Sequence, residues 1–259
     1  MSADERERRS ALMTVERGME VLRAFRSDRA PVTNAELVRR TGFSKASVSR
    51  FTATLAQLDF VRQVPGGRAF EIGTGPLGIG QAFLACSELS RVAEPVLQDL
   101  AERLGVSAAL ALPDQLDMIY VAYRASERVV ALRMGVGWVF PMAVTAVGHA
   151  CLWAQHLVER DRLMEQLRRQ AGAQGDALMK CIDASFAQLD RSGACGTLST
   201  FQRDAYAIET PIRVGRQQVL MGLSCGRAGT RPDLSAETAR ITPHLHEAAR
   251  TLQILLADK

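Results

Sequence analysis

The sequence predicts an α+β protein in two parts, a winged helix-turn-helix head and a larger domain built around an antiparallel sheet. Three observations carry that prediction. Within the first 75 residues, two helical patterns, a tight glycine turn, a third helical pattern and a basic hairpin follow one another, which is the layout of a winged helix-turn-helix. The remainder runs through hairpin-connected strands, then helices, then further strands and a closing helix, as an α+β sensor-like domain does. The charge is also uneven. Through Gly75 there are 13 Lys and Arg against 9 Asp and Glu, while the rest carries 19 of each, so the whole excess of +4 lies in the head. Attraction to phosphates requires such a basic module of a DNA-binding protein.

Each element follows from its local pattern. In residues 14–25, TVERGMEVLRAF, apolar Val15, Met19, Val21, Leu22 and Phe25 recur near helical spacing, with Thr14 as the expected N-cap. The turn SDRAP leads to a short helix, NAELVRRT, opened by Thr33 and Asn34 and stopped by Gly42, which can adopt the left-handed conformation of a C-cap. Ser44 begins a third helix, SKASVSRFTATLAQLDF. VRQVPGGRAFEI then reads as two short strands around Pro65, Gly66 and Gly67. Residues 76–104 are helical in pattern. Pro95 is expected to divide them into a connecting helix and the first helix of the next domain, with the boundary between Gly75 and Leu89. Extended runs are expected at 107–112, 118–123, 129–134, 205–212 and 218–225, and helices at 146–157, 159–170, 176–191 and 235–256.

Composition narrows the classes of function. A hydrophobic fraction of 47% suits a globular protein, and the chain has no apolar run of about 18 residues to cross a membrane. MSADERERRS leads into no apolar segment, so no secretory signal is expected and the cytoplasm is the expected location. The five cysteines (Cys86, Cys151, Cys181, Cys195 and Cys225) are far apart, odd in number and without a C-x-x-C pair. Buried free thiols are therefore expected rather than a zinc site or disulfides. His149, Cys151 and His156 share one expected helix and His244 and His246 another, but neither spacing is the i, i+4 that sets two metal ligands on one face. Residues 73–78, GTGPLG, fit G-x-G-x-x-G, the dinucleotide fingerprint. That fingerprint needs a buried strand before it and free amides after it; here a charged wing strand precedes and Pro76 removes one amide, so proline in a first helical turn explains it better. No cofactor, metal or catalytic residue is expected. An enzyme of unidentified type, whose second domain turns over a small molecule, is the alternative of a different class.

The third helix carries the most specific chemistry. At about 100° per residue, Val48, Phe51, Leu55 and Leu58 fall in one sector of about 80°, and Ala46, Ser49, Arg50 and Ala53 lie opposite with Lys45 on the flank. Small residues let a helix sit deep in a groove. Arg50 offers a bidentate fork to guanine, and the hydroxyls of Ser47 and Ser49 reach base edges or phosphates. Lys45 in the first turn and Thr33 are placed for backbone contacts, and Arg62 and Arg68 beside the hairpin for the adjacent backbone or the minor groove. An amphipathic helix with a merely solvated outer face remains the other reading of this helix taken alone.

These residues resemble the IclR family of transcriptional regulators. The resemblance runs through TVERGMEVLRAF, VTNAELVRRTGFSKASVSRFTATLAQLDFV and RAFEIGTGPLGIG. It continues through RVAEPVLQDLAERLGVSAALAL and RVVALRMGVGWVFPMAVTAVGHACLWA to the stretch from FAQLDRSGACG to MGLSCGRAG, covering nearly the whole chain. It implies a DNA-binding domain at 1–75, a linker helix at 76–90 and a GAF-like effector-binding domain at 91–259. It further implies a homodimer or homotetramer, operator DNA and a small-molecule effector as partners, and repression more often than activation, commonly of genes for catabolism of organic acids or aromatic compounds. In many members the pocket carries an acidic residue after a G-(Y/F)-A stretch and a cysteine in a C-I-A-x-P segment. The matching stretches here, GACGTL at 193–198 and AIETP at 207–211, lack both at those positions. An effector held by apolar contacts, backbone amides and hydroxyls is therefore expected, and an aromatic compound should outperform glyoxylate or pyruvate. The family layout places Thr145, Val147 and Gly148 at a helix N-terminus facing the effector. It adds Trp138 and Phe140 as apolar walls, Thr197 and Ser199 in a closing loop, and Ser224 and Cys225 at the end of the last strand.

Overall fold

A computed structural model describes residues 3–25, 30–129, 134–200, 203–229 and 232–258, with residues 3–12 described by their backbone alone. The chain divides into two compact units, Met1–Cys86 and Ser87–Lys259.

The first unit contains α1 (Ala3–Arg23), β1 (Val32–Thr33), α2 (Asn34–Thr41), α3 (Lys45–Gln57), β2 (Val61–Gln63), β3 (Ala69–Ile72) and α4 (Gly75–Cys86). Its core is a single cluster of Val21, Phe25, Val32, Leu37, Val48, Phe51, Leu55 and Val61. The hairpin pairs Val61 with Ile72 and Gln63 with Phe70, and β1 adds a third antiparallel strand by pairing Val32 with Phe70. Two expectations are corrected. Helix α1 starts at Ala3, so Thr14 lies in its body rather than at its cap. Helix α3 ends at Gln57, and Leu58, expected on the apolar face, is 59% exposed because the chain turns there through Asp59 at φ 57°. The turn expected at SDRAP lies mostly outside the described residues.

The second unit contains α5 (Glu88–Leu104), β4 (Ser107–Asp114), β5 (Asp117–Ala125), β6 (Val139–Pro141), α6 (Ala146–Trp153), α7 (Leu157–Ala171), α8 (Gly175–Ser192), β7 (Cys195–Leu198), β8 (Ala205–Val214), β9 (Val219–Ala228) and α9 (Leu234–Leu255). Its strands form one six-stranded sheet in the order β6-β5-β4-β9-β8-β7, antiparallel throughout. On one face, Leu97 and Leu100 of α5 and Leu245 and Leu252 of α9 pack against Leu110, Ile208 and Leu223. Opposite them, α6, α7 and α8 bring Leu152, Leu163, Leu167 and Ile182 onto Met118 and Phe140. The fold is thus α+β, as expected.

The helix break falls at Ser87 rather than at Pro95. Ser87 caps α5 by accepting from the Ser90 amide, whereas Pro95 sits inside α5 on its exposed side, where the carbonyl deprived of its usual bond meets water. The strands β6 and β7 were not anticipated. The expected strand at 129–134 falls largely on residues outside those described. Of the cysteines, Cys151, Cys195 and Cys225 are buried, but Cys86 and Cys181 are exposed free thiols.

Candidate DNA-reading helix and effector cavity

Local capping sets the geometry of the head. The Thr33 hydroxyl accepts from the Glu36 amide at 3.2 Å and starts α2. Gly42, at φ 70°, ends it, its amide donating to the Val38 carbonyl at 2.9 Å. Ser44 then caps α3 by accepting from the Ser47 amide at 3.2 Å. Two helices joined through so short a turn leave α3 no freedom to roll. Its inner face buries Val48, Phe51, Thr52 and Leu55, and Lys45, Ala46, Ser49, Arg50 and Ala53 face outward, exposed. Ser47 is half-buried and its hydroxyl lies 3.0 Å from that of Ser44, so part of its capacity is used within the cap. The Arg50 guanidinium rests 5.6 Å from the Phe51 ring centroid. In the wing, Arg62 is held by Glu71 across the hairpin at 2.8 Å, and Arg68 is exposed next to the turn. Glu36 takes hydrogen bonds from both Arg39 and Arg40, which lower its carboxyl to about 2, while Arg40 also reaches the Ala24 carbonyl at 2.8 Å and ties α2 to the end of α1.

The glycines of GTGPLG serve this same unit. The Gly73 and Gly75 amides donate to the Phe60 and Asp59 carbonyls at 2.9 and 3.0 Å. They are not available to a pyrophosphate.

In the second unit, a cavity of about 80 Å³ lies on the α6 side of the sheet. Of the residues expected at an effector site, it brings together Phe140, Thr145, Val147, Thr197 and Ser224. Thr145 caps α6, accepting from the Gly148 amide at 3.3 Å and donating to the Pro141 carbonyl at 2.8 Å, so its hydroxyl is engaged by the protein itself. Four expected residues do not line the cavity. Trp138 packs on the outer side of Phe140, with ring centroids 6.0 Å apart. Gly148 permits a close approach, but of the chain to itself, since a Cβ there would sit 2.2 Å from the Met142 carbonyl oxygen. Cys225 belongs to the opposite core, with α5 and α9, because consecutive strand residues point to opposite faces. Ser199 lies just past β7 at φ 56°, and its neighbour Thr200 takes the place at the wall.

Several lining residues were not anticipated, namely Ser107, Tyr120, Tyr206, Glu209 and Arg227. Glu209 matters most. It stands mid-strand in β8, two residues after Ala207 and on the same face, and is 2% exposed. The expectation of a pocket without an acid therefore does not hold, because the carboxyl enters from a different position. The signal was present in AYAIETPI, where a lone acid interrupts an apolar strand. Its Oε1 accepts from the Ser224 hydroxyl at 2.8 Å, and Ser224 in turn lies 3.3 Å from the Tyr120 hydroxyl. Its Oε2 is buried and has no partner among the described residues. Burial pushes the Glu209 carboxyl well above its ordinary value, and burial together with the nearby Glu209 raises the Tyr120 phenol.

His149 is a satisfied structural residue. The Ala143 carbonyl at 2.8 Å fixes its proton on Nε2, leaving Nδ1 to accept from Ser185 at 2.8 Å, and burial lowers its basicity.

Comparison with known proteins agrees with this architecture. Residues 14–65 match the family model described as the IclR helix-turn-helix domain, and residues 81–254 match that described as bacterial transcriptional regulator IclR C-terminal. The chain is 28% identical over 194 residues to the HTH-type transcriptional regulator TsaQ1/TsaQ2 of Comamonas testosteroni, covering 74% of this chain and 69% of the relative. It is 27% identical to the Pca regulon regulatory protein of Pseudomonas putida, over 93% of this chain and 83% of that protein. Among solved structures, an IclR family transcriptional regulator from Brucella abortus superposes with a TM-score of 0.83 at 28% identity, covering 93% of this chain and 91% of that one. With matched models running through both units, the chain belongs to the IclR family of transcriptional regulators.

Proposed function

We propose that this regulator is an effector-responsive repressor, controlling genes for the catabolism of an organic acid or aromatic compound, and that it is not an enzyme. One observation carries the sensing role: the second unit holds a partly open cavity lined by hydroxyls and by the buried Glu209, one of whose carboxyl oxygens has no partner among the described residues. A buried polar atom without a partner is costly unless something binds it. The cavity, about 80 Å³, is partly open to solvent, so its size sets no sharp upper limit on a ligand.

In this reading the head occupies 1–75, residues 76–90 form the linker and 91–259 the effector domain. Arg50 and Ser49 read base edges, Lys45 and Thr33 position the phosphate backbone, and Arg62 and Arg68 touch the flanking backbone, with Arg62 shared between Glu71 and DNA. A second copy of the chain is the partner that covers apolar residues left open in the head and linker. Among them are Val15 and Met19 on α1, 67% and 51% exposed, and Leu77 and Phe83 on α4, 72% and 52% exposed. A two-fold dimer then reads a pseudo-palindromic operator.

The test is titration of operator DNA with the full-length protein, with and without candidate ligands. Linkage requires that an effector and the operator change each other's affinity by the same factor. A panel of organic and aromatic acids that leaves operator affinity unchanged refutes the sensor, and steady product formation from any of them refutes the non-enzymatic reading.

A further inference from the structure

The floor of the cavity is an acid with one oxygen satisfied and one not. Glu209 Oε1 already accepts from Ser224, whose single proton is thereby committed, so Tyr120 is the donor to Ser224. Both hydroxyls deliver their protons toward Oε1. Oε2, buried on a side chain that lines the cavity, has no partner among the described residues. The groups facing Glu209 from the packed elements carry no countercharge. Cys195 of β7 and Ser224 of β9 are its register partners, Cys151 stands across on α6, and Cys225 follows Ser224. Burial keeps all three thiols in their neutral form. His149 of α6 is turned to Ser185 and Ala143. Arg213, on the same strand, is spent on the Ala154 and Gln218 carbonyls at 2.6 and 3.1 Å. Arg227 lines the cavity but is exposed, and Arg240 is bonded to Glu237. No cation is bonded to Glu209 among the described residues. Desolvation without a counterion holds such a carboxyl in its protonated form.

We propose that Glu209 reads the effector by donating a hydrogen bond from Oε2 to an acceptor oxygen, so that a carboxylate ligand is held on a neutral acid rather than on a buried cation. This rests on the sensor reading above and adds the chemistry of its ligand. An acceptor oxygen on the ligand pairs with the Oε2 proton. An ammonium group leaves that proton unpaired or forces Glu209 to ionise. A site built around one buried donor rejects ligands that cannot pair with it far more strongly than an apolar wall does. The remaining walls agree in sign, since Ala146 and Val147 open helix α6, whose N-terminal end favours an anion, and Arg227 adds positive charge.

The proposal fixes the pH dependence. A bound anion stabilises the protonated acid further, so Glu209 is protonated in the complex. Carboxylate affinity is level below the carboxyl's pKa in the free protein and falls about tenfold per pH unit above it, where a proton must be taken up on binding. A cationic ligand reverses the sign and releases a proton.

Calorimetry of the full-length protein with pyruvate, benzoate and benzylamine, in buffers of different ionisation heat, tests this. Binding of at least one carboxylate, without proton release and at least tenfold tighter than benzylamine, is expected. Glu209→Gln retains an N–H donor and should bind that carboxylate within a few-fold of the parent, with no fall at high pH. Glu209→Leu should lose at least tenfold. Should the leucine variant fail to fold, the proton count on the parent protein decides alone. The proposal is overturned if benzylamine binds more tightly with proton release, if neither carboxylate binds, or if Glu209→Leu binds as the parent does. A ligand without an acceptor oxygen that occupies this cavity and alters operator affinity removes Glu209's role but leaves the sensor standing. If no ligand alters operator affinity, both fall.

Discussion

The outward face of α3, proposed to read DNA, and the cavity of the second unit are built by opposite means. The first is local. Lys45, Ala46, Ser49 and Arg50 lie within six consecutive residues of one helix, aimed by caps at Thr33, Gly42 and Ser44 a few positions away. The second is assembled from β4, β5, β6, α6, β7, β8 and β9, so residues from Ser107 to Arg227 must meet. A surface that meets DNA needs only a rigid helix with small and basic residues on its outer side. A cavity needs a whole sheet to close around it. Damage to the first should be confined; damage to the second should spread.

The largest effect expected in the head comes from its core. Phe51→Ala removes a 6% exposed ring beneath the reading face and should cost about 3–5 kcal/mol. Operator binding should be lost while ligand binding by the second unit survives, as hydrogen exchange and calorimetry on one sample will report. Loss of both would break the comparison. In the second unit, Gly148→Ala puts a methyl 2.2 Å from the Met142 carbonyl oxygen. The overlap should cost about 1–3 kcal/mol and disturb Thr145 and Val147 together, so thermal melting and ligand affinity should fall in step.

Arg50→Ala should leave the melting temperature unchanged and cost about 1–3 kcal/mol of operator affinity, with relaxed base preference. Gel-shift titration at fixed salt against operator variants measures it, and an unaltered preference would exclude base reading by Arg50. Lys45→Ala should weaken all sequences alike and reduce the salt slope by about 1.

The smallest effect concerns acid. The Arg39 and Arg40 guanidiniums lower the Glu36 carboxyl from 4.5 to about 2. Its folded value lies below its unfolded one, so its contribution is fully present above about pH 4.5 and is lost as pH falls through 2. Glu36 is half-buried but its partner Arg39 is exposed, so salt should weaken the effect. Glu36→Gln should flatten the acid limb of the head's melting profile, and a profile unchanged by both salt and substitution would contradict this.

The same contrast governs what could be read from sequence. Helix α2 was bounded correctly because Thr33 and Gly42 are strong local signals, and the hairpin because Pro65-Gly66-Gly67 lies between extended runs. The start of α1 was missed because a charged segment carries no apolar period, and β6 and β7, three and four residues long, are too short to show one. Pro95 misled because its tolerance depends on which side of the helix meets water. In the cavity, Phe140, Thr145, Val147, Thr197 and Ser224 were found through family layout. Glu209 was missed because that layout directed attention to other positions, where strand alternation alone would have turned it inward beside Ala207.

The order of the sheet has one more consequence. Strand β4 lies between β5 and β9, and Ala109 and Ala111, paired with Tyr123 and Tyr120 on one side and with Ser224 and Gly222 on the other, leave room for Tyr120 to reach across to Ser224. A slip of one residue between β4 and β9 would turn Ser224 toward α9 and present Cys225 in its place. Tyr120, Ser224 and Glu209 would then no longer meet. Alignment of distant strands and assembly of the cavity floor are therefore a single event. In the proposed reading, a chain whose sheet paired out of step would still carry an intact head, and so would grip DNA while deaf to any signal.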